Sequence, residues 1–428
     1  GSMVGQRHDV NHIGSLKLCD SIYATMDNEN VNKSACSALQ QVRYITNFQS
    51  LSLPGSATLN IPNTDIVKDI LISADVSFTL SANKALPQGY GYKLLDRIQV
   101  TINGSQTYTY DAQLLKNLML LSLATRDKKS DYLALGGDRI TSGSVGSFDL
   151  VLNVPAMTRV PDSNCKSLPL DCKMFNNISQ VIVYWKDPAQ VFSGIATNMT
   201  FTRGQFIVVN DVWTDSSLSL GNVLRADPSA QYLAPFQFIQ TFSVPLNGDS
   251  VGTDVAAGNQ VTKTISGFRY GNMTGILFAV EDPSLYDNGN PSVCAVEMVD
   301  FQIIFNGVQL YNAPGQTLKL IQANANTCLQ TVQVDENTDT TLNKNPVNEP
   351  LYEAQFSLSD IAKNNSVVQQ GLQIGNNSLQ VSFKAKRLSS AALASSGTTE
   401  FGAQAVLKVG YVYDCALITS QGLSLIHI

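Results

Sequence analysis

The chain has 428 residues, of which 14% are charged, and its formal net charge is −6. About 25% charged residues is usual, and no basic run is present. This composition argues against a chain that binds along nucleic acid directly, and we expect no sequence-specific nucleic-acid partner. The length predicts two to three domains.

Residues 1–42 are polar and show no clear periodicity, which predicts an N-terminal arm; Gly1-Ser2 before Met3 has the form of a tag-cleavage scar. From Arg43 onward, short apolar runs alternate with Gly and Pro turn signals, the pattern of short strands. Besides the segment described next, strands of the first half are predicted at Leu59–Ile61, Ile70–Leu80, Phe148–Val154, Val181–Trp185 and Phe206–Val209.

Residues 96–118 have the most regular pattern of the chain. Apolar residues from Ile98 to Ile102 alternate with polar ones, which predicts a strand with one buried face. Asn103-Gly104 then favours a tight hairpin turn. After the returning strand, apolar residues at helical spacing follow Asp111, which is a suitable N-cap. The segment therefore predicts a strand, a hairpin turn, a second strand and a helix.

This segment occurs twice. Aligned without gaps, residues 96–118 and 299–321 share eight of 23 residue types at an offset of 203. Two weaker matches follow in the same order at an offset of 200, namely Asn177–Lys186 with Asn377–Lys386, and Phe201 and Val209 with Phe401 and Val409. A repeat of this length predicts a tandem duplication of whole domains. In the second copy Pro314-Gly315 stands where the helix would begin, so a helix there stays open.

The duplication predicts an all-β fold of two tandem β-sandwich domains with a few short helices. We predict the first sandwich at 43–213, a linker at 214–231 and the second sandwich at 232–422. Second-half strands, besides the repeated hairpin, are predicted at Phe236–Val244, Ile276–Val280, Ala354–Leu358, Leu379–Phe383 and Ala405–Val412, and an exposed loop at Asp335–Asn345.

The last six residues, 423–428, are unusual as protein sequence. LSLIHI is the translation of CTGTCTCTTATACACATC, the end of a common transposon adapter. We predict that this tail is not native, and resequencing of the source DNA tests it. The alternative is a genuine apolar tail.

Candidate catalytic residues are few. A GxSxG pattern at Gly248–Gly252 places Ser250 as a nucleophile, but a nucleophile elbow needs a following helix and a later histidine. No helical pattern follows, and the one downstream histidine, His427, lies in the tail. No phosphate-binding loop or dinucleotide fingerprint is present, so we predict no catalytic site and no cofactor.

Other candidate sites have ordinary structural interpretations. Asp335, Glu336 and Asp339 do not have EF-hand spacing, so we expect a solvated loop and no metal. Lys128-Lys129 is an isolated pair, also predicted in a solvated loop. Two tryptophans could form a sugar platform, although strand tryptophans are more often in the core; these are Trp185 and Trp213.

The seven cysteines form neither a zinc-binding pattern nor a CxxC pair. With no signal peptide and no long apolar run, they predict an intracellular protein with reduced thiols and no membrane span.

Two tandem sandwiches of this size, poor in charge and without a catalytic set, resemble the double jelly-roll major capsid proteins of the adenovirus and tailless-phage lineage. The run Leu94–Gly104, LLDRIQVTING, is similar to the virophage and Polinton-like pattern, in which a strand ends in Ile-Asn-Gly ahead of a helix. The longer signature stretches of the large-virus subgroup are missing.

The resemblance implies a structural protein of a DNA virus, located in an icosahedral capsid and assembled inside the host cell, in the cytoplasm or nucleus. It implies homotrimers forming pseudo-hexagonal capsomers, which contact neighbouring capsomers, penton proteins and minor capsid proteins. It also implies an outer-tower position for loops such as 335–345 and an inner or neighbour-facing N-terminal arm.

Two other classes stay open. One is a carbohydrate-binding or carbohydrate-active double β-sandwich, since two acids brought together by a fold are enough for glycoside hydrolysis. The other is a scaffold or adhesion protein, for which a signal peptide and an even number of cysteines would be expected.

Overall fold

The computed structural model describes most of the chain. It covers residues 39–154, 157, 172–215, 232–315, 352–355, 372–387 and 399–427, apart from gaps at 62, 64–65, 87, 124–125, 193, 254, 270–271, 282–285, 288–289, 295 and 421–422. The arm up to residue 38, the linker from 216, the acidic loop 335–345 and the segment after Gly315 lie outside the described residues.

The first half contains eight strands and short helices. The strands are β1 Leu39–Asn47, β2 Gly55–Ile61, β3 Ile66–Leu80, β4 Leu95–Ile102, β5 Gln106–Asp111, β6 Val145–Val151, β7 Ser179–Trp185 and β8 Ala196–Trp213. The helices are α1 Tyr90–Leu94, α2 Ala112–Ser122, α3 Arg126–Leu135 and α4 Pro188–Val191, with a 3-10 turn at Cys172–Met174.

The described residues of the second half contain strands and no helix. Its strands are β9 Tyr232–Pro245, β10 Val261–Ile265, β11 Asn272–Glu281, β12 Tyr286–Asp287, β13 Asn290–Cys294, β14 Val296–Phe305, β15 Val308–Ala313, β16 Tyr352–Gln355, β17 Leu372–Gln373, β18 Leu379–Arg387, β19 Val406–Ser420 and β20 Leu423–His427.

Each half is a jelly roll. In the first half one antiparallel sheet has the order β1-β8-β3-β6 and the other β2-β7-β4-β5. The second half repeats this arrangement as β9-β19-β11-β16 and β10-β18-β14-β15, with β17 and β20 added to the former sheet. These interleaved orders of eight strands are jelly-roll topology. The predicted fold class, two tandem jelly-roll sandwiches with a few short helices, is confirmed.

The residues that match between the two copies of the sequence repeat are paired in the same way in the sheets of both halves. In the first half Val100 pairs with Val181, and in the second half Ile303 pairs with Val381. The offsets of these partners are 203 and 200, so the two best-matching segments occupy the same places in both halves. The hairpin repeats too, since Val100 faces Tyr108 and Ile303 faces Tyr311.

Three expectations need correction. The weak match at Val209 and Val409 is wrong, because Val209 pairs with the exposed Arg43 on an outer face, whereas Val409 faces Phe242 and Phe278. Lys128-Lys129 lies in helix α3 and not in a loop. The arm predicted at 1–42 ends in strand, since its last four residues begin β1.

The core of each jelly roll lies between its two sheets. Along β3, buried Ile70 and Ile72 alternate with half-buried Leu71, because successive strand residues point to opposite faces. Trp185 of β7 meets Phe201 of β8 across the sandwich, with ring centroids 4.9 Å apart. Burying each such side chain contributes about 1.5–3 kcal/mol.

A second aromatic cluster fills the other core. Phe278 of β11 meets Phe301 of β14 at 4.7 Å, so it joins the two sheets of the second half in the same way. Tyr411 of β19 packs edge-on against Phe268 at 4.6 Å. Each half therefore has its own core of the kind expected of a domain.

The tail residues Leu423–His427 pair with the end of β19. That pairing does not bear on their origin, because an apolar run can add to a strand edge whatever its source. A non-native tail stays a prediction.

Candidate functional site

The candidate nucleophile Ser250 and the two candidate sugar-platform tryptophans have ordinary structural places. Ser250 lies in the loop between β9 and β10, where its Oγ accepts a hydrogen bond from the Asn259 amide at 2.9 Å. The strand-to-helix turn of a nucleophile elbow is therefore missing there. Trp185 and Trp213 are each 5% exposed, so the interpretation of both as core residues is confirmed and neither presents a platform.

In the part of the chain that the structure describes, no group of three or more His, Cys, Asp or Glu side chains could hold a metal ion. Within the same residues, no helix is long and apolar enough to cross a membrane. Cys172 and Cys415 are buried, and neither forms a disulfide.

Outside the two cores, aromatic and charged side chains join the two halves to each other. Tyr108 and Tyr110 of β5 are fully buried at the edge of the first jelly roll. Tyr108 packs edge-on against Phe236 of β9, with ring centroids 5.1 Å apart. Its ring centroid lies 5.7 Å from that of Phe238, and the ring centroid of Tyr110 lies 5.8 Å from that of Phe238. The β5 edge of one jelly roll is thus sealed by the first strand of the next.

An ion pair lies beside these rings. The Asp111 carboxylate accepts a hydrogen bond from Lys408 Nζ of β19 at 2.8 Å, and the two side chains are only 12% and 9% exposed. The other carboxylate oxygen accepts from the amides of Gln113 and Leu114 at 2.9 and 3.1 Å, which makes Asp111 the predicted N-cap of α2. One side chain therefore both starts the helix and binds the second half.

Helix α2 lies on the outer face of the second half's sheet. The facing pairs Thr241–Gly410 and Gly410–Leu277 form a row across β9, β19 and β11. A Cβ at Gly410 would lie 2.9 Å from Leu114 Cδ1 of α2 and 2.8 Å from Ile239 Cγ2, so glycine is what lets the helix approach this closely. Leu277 and Ile239 are buried.

The corresponding face of the first half is half open. The facing pairs Ile45–Ile207 and Ile207–Leu71 form an apolar row across β1, β8 and β3. Ile45 is 62% exposed and the other two are half-buried. We call this row the open face. Contiguous apolar surface of this kind marks an interaction site more often than scattered apolar residues do.

The β15 edge of the second half is also less covered than its counterpart. Tyr311 occupies the position of the fully buried Tyr108, but is half-buried against Phe301 at 5.9 Å. On the neighbouring positions Val308 is 61% exposed and Leu310 37% exposed.

Sequence reasoning identified the hairpin and the cap but not the contact between the halves. A signal was present in the repeat itself. At the offset of 203, the contact residues Tyr110, Asp111 and Leu114 correspond to Ala313, Pro314 and Thr317. The two copies thus differ at these positions, where only the first copy contacts a following jelly roll in the same chain.

Among the comparisons with known proteins, only the comparison of folds finds similar proteins. No protein-family model matches the sequence, and no curated protein matches it. Solved structures that are similar to the chain include double jelly-roll viral capsid proteins.

Three of them illustrate the likeness. The VP54 protein of the virus PBCV-1, whose crystal structure was fitted into a cryo-EM reconstruction of the virophage Sputnik, is 13% identical with a TM-score of 0.63, over 92% of this chain and 97% of that one. The mavirus major capsid protein is 14% identical with a TM-score of 0.51, over 90% of each chain. The Faustovirus major capsid protein is 8% identical with a TM-score of 0.55, over 97% and 98%. At these identities the likeness shows the shared double jelly-roll fold.

Proposed function

We propose that the chain is a viral major capsid protein, a structural and non-enzymatic subunit that forms homotrimers as the building blocks of an icosahedral shell. The single observation that carries the proposal is the double jelly roll, shared over nearly the whole length of both chains with major capsid proteins. The buried contact between the halves supports it, because it holds two jelly rolls of one chain as one unit.

Two similar domains in one chain suit the geometry of a trimer. Three copies place six jelly rolls around a threefold axis, so the outline of the trimer approximates a hexagon. A closed cyclic trimer uses one heterologous interface three times. Near-hexagonal units pack side by side over a shell, which is the work of a capsomer.

The remaining features of the proposal follow from that role. The partners are neighbouring capsomers, penton proteins and minor capsid proteins, and the location is the virion, after assembly in the host cell. The virus is a DNA virus of the virophage or Polinton-like type, a proposal supported by the LLDRIQVTING run of Leu94–Gly104. A sugar-binding role has lost its main support, because both tryptophans are buried.

The first experiment is the solution mass of the purified chain by light scattering on a sizing column, with negative-stain images of the peak. A trimer has a mass of about 139 kDa, three times 46.2 kDa, and a hexagonal outline is expected. A chain ending at Gly422 is the matched control for the tail and should form the same oligomer. A monomer for both chains at every concentration would contradict the proposed trimer.

A further inference from the structure

The two Asn-Gly turns of the repeated hairpin have the same backbone conformation but different surroundings. Asn103 and Asn306 are both left-handed, at φ 53° and 48°, and the glycines that follow them have φ 72° and 76°. Tight hairpin turns of this kind are the ones that Asn-Gly favours. Because the backbones match, a difference in the chemistry of the two turns has to come from the groups around them.

The first turn is held by the chain around it. Asn103 is 3% exposed. Its Oδ1 accepts a hydrogen bond from the backbone N–H of Asn177 at 2.9 Å, and its carbonyl oxygen accepts one from Asn177 Nδ2 at 3.3 Å. The N–H of Asn103 donates to Ser179 Oγ at 3.1 Å. The side chain of Asn103 is therefore fixed in position and shielded from water.

The second turn lacks these restraints within the residues that the structure describes. Asn306 is exposed, and its side chain makes no hydrogen bond to any described residue. The N–H of Gly307 also has no acceptor there. Asn377, the counterpart of Asn177, instead donates from Nδ2 to the carbonyl oxygen of Ile374 at 2.8 Å. The carboxamide of Asn306 and the backbone nitrogen beside it are therefore both open to water and free to move.

We propose that Asn306 is a site of spontaneous deamidation. The backbone nitrogen of Gly307 attacks Cγ of Asn306 and forms a cyclic imide. The bond between Cγ and Nδ2 breaks, and the proton of the attacking N–H leaves with the amide nitrogen as ammonia. Water then opens the ring at either carbonyl, which gives aspartate or isoaspartate. Glycine suits the attack because it has no side chain to hinder it.

The product carries a charge where the hairpin was neutral. Each event adds one carboxylate and changes the formal net charge of the chain from −6 to −7. When the ring opens to isoaspartate, the backbone also gains one carbon atom, so the turn between the paired residues Phe305 and Val308 becomes longer. The reaction needs only water, so this inference does not rest on the proposed function.

A third Asn-Gly pair gives an intermediate case. Asn247 is exposed, but the N–H of Gly248 donates a hydrogen bond to the carbonyl oxygen of Phe401 at 3.2 Å. The attacking nitrogen is restrained in this pair, whereas the carboxamide is open to water. Asn247 is therefore expected to react more slowly than Asn306 and faster than Asn103.

The experiment incubates the folded, purified chain at mildly alkaline pH and follows each Asn-Gly pair by peptide mapping in a mass spectrometer. Combined cleavage after Lys, Arg and Glu places the three pairs on separate peptides. The cut after Glu297 also separates Asn306 from Asn288, which lies outside the described residues. Asn306 should deamidate first, and at least about tenfold faster than Asn103; tenfold corresponds to about 1.4 kcal/mol in the activation free energy, which is the size of one hydrogen bond.

The same chain unfolded in urea is the matched control. Unfolding removes the different surroundings of the three pairs, so their rates should become similar. Asn306→Asp is the matched variant, because aspartate also tolerates a left-handed backbone. On anion exchange it should elute with the acidic species that the wild type accumulates, and it should gain no further acidic species from this turn.

Incubation continues until all three pairs have reacted in the unfolded chain, so that every result decides. If Asn103 or Asn247 reacts as fast as Asn306 in the folded chain, the contacts do not control the chemistry and the inference is overturned. If Asn306 stays intact in the folded chain, the hairpin itself prevents the attack, which also overturns it. Neither result depends on the mass in solution, so the proposed trimer is tested separately.

Discussion

Asp111→Asn tests whether a single ion pair joins the two jelly rolls. Asparagine is as good an N-cap as aspartate, so the start of α2 is kept and only the charge facing Lys408 is lost. Breaking a buried pair costs about 3–5 kcal/mol, and the 12% and 9% exposure of the two side chains places this pair in that class. Asp111→Ala removes the cap as well and should cost about 1 kcal/mol more.

The assay is urea unfolding followed by intrinsic fluorescence, since the tryptophans lie in the first half and report on it. The wild type should unfold with the halves coupled, and Asp111→Asn should separate a first transition at lower urea. Asp111→Asn combined with Lys408→Met should recover most of the loss, because an apolar side chain can replace a buried charge at little cost. A single variant within about 0.5 kcal/mol of the wild type would refute this account of the contact.

Three further perturbations follow from described geometry. Asn103→Ala and Asn306→Ala both force alanine into a left-handed turn position, at φ 53° and 48°. Asn103 differs in that its Oδ1 accepts a hydrogen bond from the backbone N–H of Asn177 at 2.9 Å. In urea unfolding, Asn103→Ala should therefore lower the free energy of unfolding by about 1–2 kcal/mol more than Asn306→Ala does, and equal losses would contradict this. Gly410→Ala places a methyl 2.9 Å from Leu114 and should cost about 1–3 kcal/mol, less if Leu114 is also shortened to alanine. Burial raises the pKa of Asp69 above 3.8, so the folded state holds that proton more tightly than the unfolded state, and stability falls as pH rises above about 4. Asp69→Asn removes this titration, so its thermal midpoint should fall less than that of the wild type between about pH 4 and 7. An equal fall in both proteins would refute the role of Asp69.

The sequence predicted what is local or repeated. Alternation from Ile98 to Ile102, the Asn103-Gly104 turn and the Asp111 cap are each set by neighbours in the chain, and all are present in the structure. The match of residues 177–186 with 377–386 also predicted a shared place, which the register confirms.

What the sequence could not predict depends on packing between distant residues. Periodicity placed Phe236 in a strand but did not show that it seals the edge beside Tyr108. Nothing in the sequence connects Lys408, which lies in the predicted strand Ala405–Val412, with its partner Asp111, because the two residues are 297 positions apart. Helix α3 was missed because its polar sequence has no apolar face of helical period, and its place is set by contacts with the sandwich.

The pairing of β1 with β8 has a consequence for the order of folding. Leu39 faces Trp213, so the first jelly roll cannot close until residue 213 has been synthesised. The second needs Thr419 to face Tyr232, almost the end of the chain. Contacts of such long sequence separation fold slowly, and domains made first on the ribosome fold first. The first jelly roll is therefore expected to be complete, with its β5 edge and α2 exposed, while the second is still being made, and to serve as the template on which the second half closes.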